Sequence, residues 1–170
     1  MKNIATLKTI ALRGLAGICL VGAMSTSLVV TAAAAENKAQ NAYEAMTAEK
    51  FKKLLPGKTL LGEYRYMRER SKTYNFRETH HANGTTDYIE GPIKSKGKWY
   101  TLSTHKICYT YPDDPDMGGN ISCFWVYNND GCYYGYSRRE MTLKGPRSYN
   151  DWSARWIIKG SGKSCDAAVS

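Results

Sequence analysis

Several groups of residues in this chain have types and spacings that chemistry could use. His80-His81, with Glu78 two positions earlier, offers metal ligands or a general base. Asp113, Asp114 and Asp116 place carboxylates close together, and paired carboxylates are the machinery of glycoside hydrolysis. Cys108, Cys123, Cys132 and Cys165 offer either thiolates or disulfides. A further group would bind rather than react. Tyr109, Tyr111, Trp125, Tyr127, Tyr133, Tyr134 and Tyr136 fall on neighbouring short segments, with Arg138 and Arg139 beside them. Aromatic faces stack on sugar rings, and guanidinium groups clamp acidic groups with paired hydrogen bonds.

The reactive groups weaken on inspection. Adjacent strand residues point to opposite faces, so His80 and His81 cannot chelate together. Glu78 and His80 share a face and His105 could join from a turn, but three histidines without a ligand spacing read as surface or rim residues, and no metal site is expected. No Gly-x-Ser-x-Gly elbow or phosphate-cradling loop occurs. The aspartates lie together in one loop, whereas a glycosidase holds its carboxyls across a cleft. No catalytic residue and no cofactor is therefore assigned.

The cysteines fit disulfides better than a metal, because no C-x-x-C pair is present. Of three possible connectivities, Cys108–Cys123 with Cys132–Cys165 is favoured. The first closes a loop of ordinary size and the second ties down the tail.

Compartment follows from the start of the chain. Lys2, Lys8 and Arg13 precede an apolar stretch from Leu15 to Val30, and Ala32 to Ala35 follow it, with no acidic residue before Glu36. This is the pattern of an export signal over residues 1–35. A retained anchor is the alternative, but Gly17, Gly22, Ser25, Thr26 and Ser27 dilute the apolar run. Leu15-Ala16-Gly17-Ile18-Cys19 is a poor lipoprotein box, since Ile18 stands where a small residue belongs. The expectation is a periplasmic or extracellular protein with no stable membrane span once the signal is removed.

The whole chain has 170 residues, 24 basic against 15 acidic, for a net charge of +9. Loss of Lys2, Lys8 and Arg13 leaves 21 basic against 15 acidic, or +6, on a mature chain of about 135 residues. That length makes one domain with one core. Hydrophobic content of 42% and aromatic content of 12% exclude a disordered chain. A basic exported protein fits an anionic envelope glycan, lipid headgroup or protein partner, and nucleic acid is not expected.

The elements that position these residues can be read along the chain. Residues 36–46 are polar and alanine-rich, a mobile leader. Thr47 can cap a short helix that places Phe51, Leu54 and Leu55 on one stripe and ends at Pro56-Gly57. Alternating strands follow at 59–67, 73–82, 85–90, 98–102, 106–111, 121–127, 132–136 and 151–159. Tyr74, Phe76, Glu78 and His80 share one face of the second strand, and Cys123, Trp125 and Tyr127 share a face opposite Phe124 and Val126. Asn83-Gly84 and Asn128-Asn129-Asp130-Gly131 are turn signals, Asn83-Gly84 being the strongest, read as a tight turn with positive φ at both central residues. Pro112 to Asn120 reads as an acidic surface loop, and Arg65, Arg68, Arg70 and Lys72 as a solvated basic face. The fold class is mainly β: an antiparallel meander forming a small closed or nearly closed barrel, lipocalin-like or calycin-like, over residues 47–160, with one short N-terminal helix and a tail at 161–170. A two-sheet sandwich is the alternative.

The order of motifs resembles a family of small exported alphaproteobacterial proteins that share a domain of unknown function (DUF995-like). The resemblance runs through the helix from Thr47 to Thr59, the turn Asn83-Gly84-Thr85 and Gly97-Lys98-Trp99. It continues through Cys108-Tyr109-Thr110-Tyr111, Cys123-Phe124-Trp125-Val126-Tyr127 and Tyr133-Tyr134. It covers roughly residues 47–159. It implies a barrel-like antiparallel domain and a Cys108–Cys123 link, and it implies no activity. Cys132, Cys165 and the 112–120 loop depart from its pattern.

The functional expectation is a non-catalytic binding or envelope-interaction module using Tyr109, Tyr111, Trp125, Tyr127, Tyr134, Tyr136, Arg138 and Arg139. An inhibitor of a secreted hydrolase such as lysozyme, contacting it through the 113–116 aspartates, is the alternative. An enzyme of unrecognised type is the second. A hollow barrel would favour a small apolar ligand, and a filled one would move function to the outside.

Overall fold

The computed structural model describes residues 42–165; the stretch 1–35 expected to be an export signal, the first part of the expected leader at 36–41 and the last tail residues, 166–170, lie outside the described residues. Eight antiparallel strands close into a barrel. They are β2 (Thr59–Arg68), β3 (Thr73–His80), β4 (Thr85–Glu90), β5 (Ile93–Leu102), β6 (Lys106–Thr110), β7 (Ile121–Asn129), β8 (Cys132–Tyr136) and β11 (Ala154–Ile158). Consecutive strands pair from β2 to β8, and β11 inserts between β8 and β2 to close the ring. The sandwich alternative is thereby set aside. Closure leaves no long unpaired edge. Outside the ring lie β1 (Glu44–Ala45), which pairs with the end of β7, and a small hairpin of β9 (Met141–Thr142) and β10 (Gly145–Pro146) in the connection before β11.

Alternation along the strands decides what faces inward. Phe76, Glu78 and His80 on β3 are buried, as are Thr86, Tyr88 and Glu90 on β4. On β7, Val126 is buried with Phe124 packed against the barrel core, while Trp125 and Tyr127 face out. Cys108 and Cys123 stand directly opposite each other on β6 and β7, with Cα atoms 4.1 Å apart, and are bonded. Cys132 is bonded to Cys165, so the favoured pairing is the one formed. Closing that 33-residue separation is worth about 3–4 kcal/mol by the chain-entropy model.

The turns divide. Asp130 and Gly131 both take positive φ, 48° and 86°, between the paired Asn129 and Cys132, which makes a tight two-residue hairpin turn. At Asn83-Gly84 only Gly84 has positive φ. The chain there makes a four-residue turn in which Gly84 N–H donates to the His81 carbonyl at 3.1 Å. Asn83 serves through its side chain, accepting from the Thr85 backbone N–H.

Helix α1 (Ala48–Leu54) closes one end of the barrel. Thr47 Oγ1 caps it by accepting from Lys50 N–H at 3.3 Å, and Glu49 lies in its first turn. Seven residues cannot hold a helix in water, so docking decides. Phe51 and Leu55 sit on one face and join Met46, Leu60, Ile107 and Val126 in the barrel core. The leader is accordingly shorter than expected. Tyr43 packs in an aromatic cluster, β1 is paired, and Met46 is 4% exposed.

Inward glycines give the rings room. A Cβ at Gly97 would meet the Tyr111 ring at 2.5 Å, and one at Gly62 would meet the Phe76 ring at 2.4 Å. These residues are small because large aromatic side chains lie across them.

Candidate functional site

The interior changes character along the barrel axis. Next to the helix-closed end it is apolar. Above that layer His80 is wholly buried, its Nε2 3.0 Å from the Tyr109 hydroxyl and its ring edge-on to Trp99. Burial pulls its pKa down to about 4, so the ring is neutral at pH 7. His80 is thus a core residue, where a surface or rim position was expected. His81 faces out and meets Asp87 at 2.8 Å.

One layer further, Glu78 is 4% exposed. Its Oε1 accepts from the Tyr111 and Thr86 hydroxyls. Burial pushes its carboxyl up to about 7, and those two hydrogen bonds offset only part of the effect. Tyr64 and Tyr88 share a hydroxyl–hydroxyl hydrogen bond of 2.7 Å, and Tyr88 then donates to Glu90 at 2.6 Å. Between these groups lies a cavity of about 90 Å³. Its walls include Tyr64, Phe76, Glu78, Tyr88, Tyr109, Tyr111, Phe124 and Trp156, with Arg68 and Met117 towards the open end. The barrel is therefore mostly filled, with one small pocket that is aromatic yet carries a carboxyl.

At the end away from the helix, charge replaces apolar packing. Arg70, on the β2–β3 turn, donates to Glu90 Oε2 at 2.8 Å and to both oxygens of Asp114, at 2.9 and 3.0 Å. Ser71 also donates to Glu90, and Ser95 to Asp114. Backbone N–H groups of Asp116 and Met117 complete the shell around Asp114. Burial works against ionising both carboxyls, but these donors outweigh it, holding Glu90 below its ordinary range and Asp114 down at about 2. Arg70 is likewise held more firmly protonated than usual, its desolvation outweighed by the two carboxylates. Two expectations are corrected here. Asp114 is 2% exposed and organises the 112–120 loop from inside. Arg70 is not on a solvated face; its side chain is 13% exposed.

Outside this plug runs a groove of about 930 Å³ between the β2–β3 end and the β8–β11 connection. Arg65, Arg68, Arg70, Arg139 and Arg147 line it, against Glu69, Glu140 and Asp151. Asp151 takes Arg65 at 2.7 Å, and Glu140 accepts from Ser137 and Ser153. Arg147 is tethered by its Nε to the Arg139 carbonyl at 3.2 Å. Tyr66, 74% exposed, and Trp152 add aromatic surface.

The residues expected to form one binding face are split among several places. Tyr109 and Tyr111 line the interior cavity. Tyr134 and Tyr136 are buried outside the ring in a second cluster with Tyr43, Tyr127, Tyr149 and Trp152, where the Tyr136 hydroxyl donates to the Tyr149 carbonyl at 2.8 Å. Trp125 lies under Lys106, whose Nζ is 4.3 Å from the ring centroid. Arg138 and Arg139 are both exposed, and Arg139 lines the groove.

Residue spacing missed the Arg70–Glu90–Asp114 cluster because its members come from three separate turns and strand ends. One signal was present: Glu90 shares inward parity with Thr86 and Tyr88, so an acidic residue had to enter the barrel there. Among the described residues no helix is long and apolar enough to cross a membrane. No family model, curated protein or solved structure matches the chain.

Proposed function

We propose that the protein is an exported, non-catalytic binding module that takes an anionic component of the cell envelope at the open end of its barrel. The observation that carries this reading is the groove, where Arg65 is paired with Asp151, and Arg68 and Arg70 with Glu90 and Asp114, while Arg139 and Arg147 keep no carboxylate partner among the described residues. Arg139 makes no side-chain ion pair among the described residues and is exposed. Guanidinium groups beside the Tyr66 and Trp152 rings suit an anionic glycan, which offers acidic groups to clamp and ring faces to stack on. Two disulfides are compatible with an oxidising compartment, and the signal-like start of the chain supplies the route there.

Retention of the mature, oxidised protein on peptidoglycan and on anionic-lipid vesicles tests the reading. Binding to the glycan at low salt, released by added salt and weakened by Arg139→Ala with Arg147→Ala, is the expected result. Vesicle binding alone would assign the groove to lipid headgroups. Retention on neither support would remove the reading. The hydrolase-inhibitor alternative leaned on the loop aspartates, and with Asp114 turned inward only Asp113 and Asp116 remain exposed for such a contact.

A further inference from the structure

The interior cavity is a different place with the opposite electrostatic demand. Its carboxyl, Glu78, faces tyrosine and threonine hydroxyls and meets no cation. At the mouth the charges match. Arg68 and Arg70 stand against Glu90 and Asp114, with Arg68 Nε 3.6 Å from Glu90. Asp116 lies 3.8 Å from Arg70 but faces solvent, and His80 below is neutral. With that cluster balanced, ionised Glu78 would leave the interior one positive charge short.

The walls supply what a desolvated organic cation needs. Rings of Tyr64, Phe76, Tyr88, Tyr109, Phe124 and Trp156 line the space from six strands, joined by Tyr111 just before the 112–120 loop. Aromatic faces attract ammonium groups, and more strongly once water is excluded. One water needs only about 10–15 Å³ on a comparable measure, so a cavity of about 90 Å³ exceeds a single-water site several-fold. We infer that this cavity is a binding site for a small alkylated ammonium, held by Glu78 and caged by the surrounding rings. Entry is past Arg68 and Met117, both flexible side chains at the open end.

This inference stands apart from the groove reading, since it concerns another site and a ligand of opposite charge. The groups that tune it with pH are Glu78 itself, Tyr64 and Arg68 from β2, His80 from β3, Tyr88 and Glu90 from β4, and Tyr109 and Tyr111. Strands β7 and β11 contribute no charge to the lining, only Ser122, Phe124, Ala154 and Trp156.

The probe is tetramethylammonium, titrated into the mature, oxidised protein by calorimetry and by ligand-observed NMR. The neutral near-isostere tert-butanol, with the same five-heavy-atom tetrahedral shape, serves as a shape control and sodium as a charge control. Saturable binding is expected for tetramethylammonium, strengthening as pH rises towards about 7 where Glu78 ionises. Glu78→Gln should weaken it about tenfold or more. Ser122→Leu, which fills the cavity and leaves Glu78 in place, should abolish it, and it decides the matter if Glu78→Gln fails to fold. Absence of saturable binding at about 100 mM probe, where even millimolar sites fill, would overturn the proposal. So would equal binding of the neutral isostere, or binding that survives Ser122→Leu.

Discussion

The two ends of the barrel solve one problem in opposite ways. At one end α1 lowers Phe51 and Leu55 onto an apolar floor. At the other, Arg70 bridges two buried carboxylates. Both plugs keep water from the core. The apolar plug gains from every square ångström removed from water and is indifferent to pH. The charged plug must first repay desolvation and does so only while every partner is present and ionised. A ligand can compete for a guanidinium but cannot compete for Phe51 without unfolding the end it closes. The fold therefore concentrates its stability at the helix and leaves its adjustable chemistry at the arginines.

The strongest way to break this comparison is to remove Arg70. Arg70→Ala strands Glu90 and Asp114 in the interior and should cost about 3–5 kcal/mol at pH 7, measured by urea denaturation. Restoring neutrality with Glu90→Gln and Asp114→Asn should recover much of it. The matching change at the other end, Leu55→Ala, should cost about 2–5 kcal/mol through a cavity, and no change of pH between 5 and 8 should alter that loss. The Arg70 loss should shrink in acid. Glu90 and Asp114 have folded pKa values below their unfolded ones of 4.5 and 3.8, so their stabilisation is present above those values and is lost as pH falls below them, for Asp114 towards about 2. A cost for Arg70→Ala below about 1 kcal/mol would mean that the ions merely decorate the opening.

Between the plugs, Glu78 and His80 sharpen the contrast because their pH dependences run in opposite directions. Glu78 is raised from 4.5 to about 7, so its contribution is present below 4.5 and is lost as pH rises through about 7. His80 is lowered from 6.5 to about 4, so its contribution is present above 6.5 and is lost as pH falls through about 4. From pH 4.5 to 6.5 the two slopes cancel, and wild-type stability should be nearly flat. Glu78→Gln removes one slope and exposes the other, so its stability should climb by on the order of 2–3 kcal/mol across that window. A flat profile in the variant would show that His80 is not the buried neutral base its surroundings make it.

How far these regions were legible from residue order depended on whether they were built by alternation. The shared face of Phe76, Glu78 and His80, and that of Cys123, Trp125 and Tyr127 opposite Phe124 and Val126, follow from a period of two along single strands, whereas the Cys108–Cys123 bond rests on loop size and on the register between two strands. Parity told which residues share a face but not which face water would touch. His80 was accordingly placed at a rim. The second aromatic cluster escaped because Tyr43 and Tyr149 reach Tyr134 and Tyr136 from segments with no period of their own. The ion cluster escaped for a related reason. Arg70, Glu90 and Asp114 are separated by 20 and 44 positions from the common arginine, and only closure of the barrel brings their ends together.

The smallest expected effect tests the division of labour most directly. Arg139 is exposed at the groove, and among the described residues only its backbone carbonyl is engaged, by Arg147. Replacing its side chain with alanine leaves that carbonyl in place, so Arg139→Ala should change stability by no more than about 0.5 kcal/mol. The same substitution removes one of five positive groups lining the groove. If that end is where an anion docks, the slope of binding against salt should fall while the unfolding midpoint stays put. A shift of the midpoint by more than about 1 kcal/mol would instead place Arg139 among the groups that hold the open end together, and the separation between a stable end and a working end would be lost.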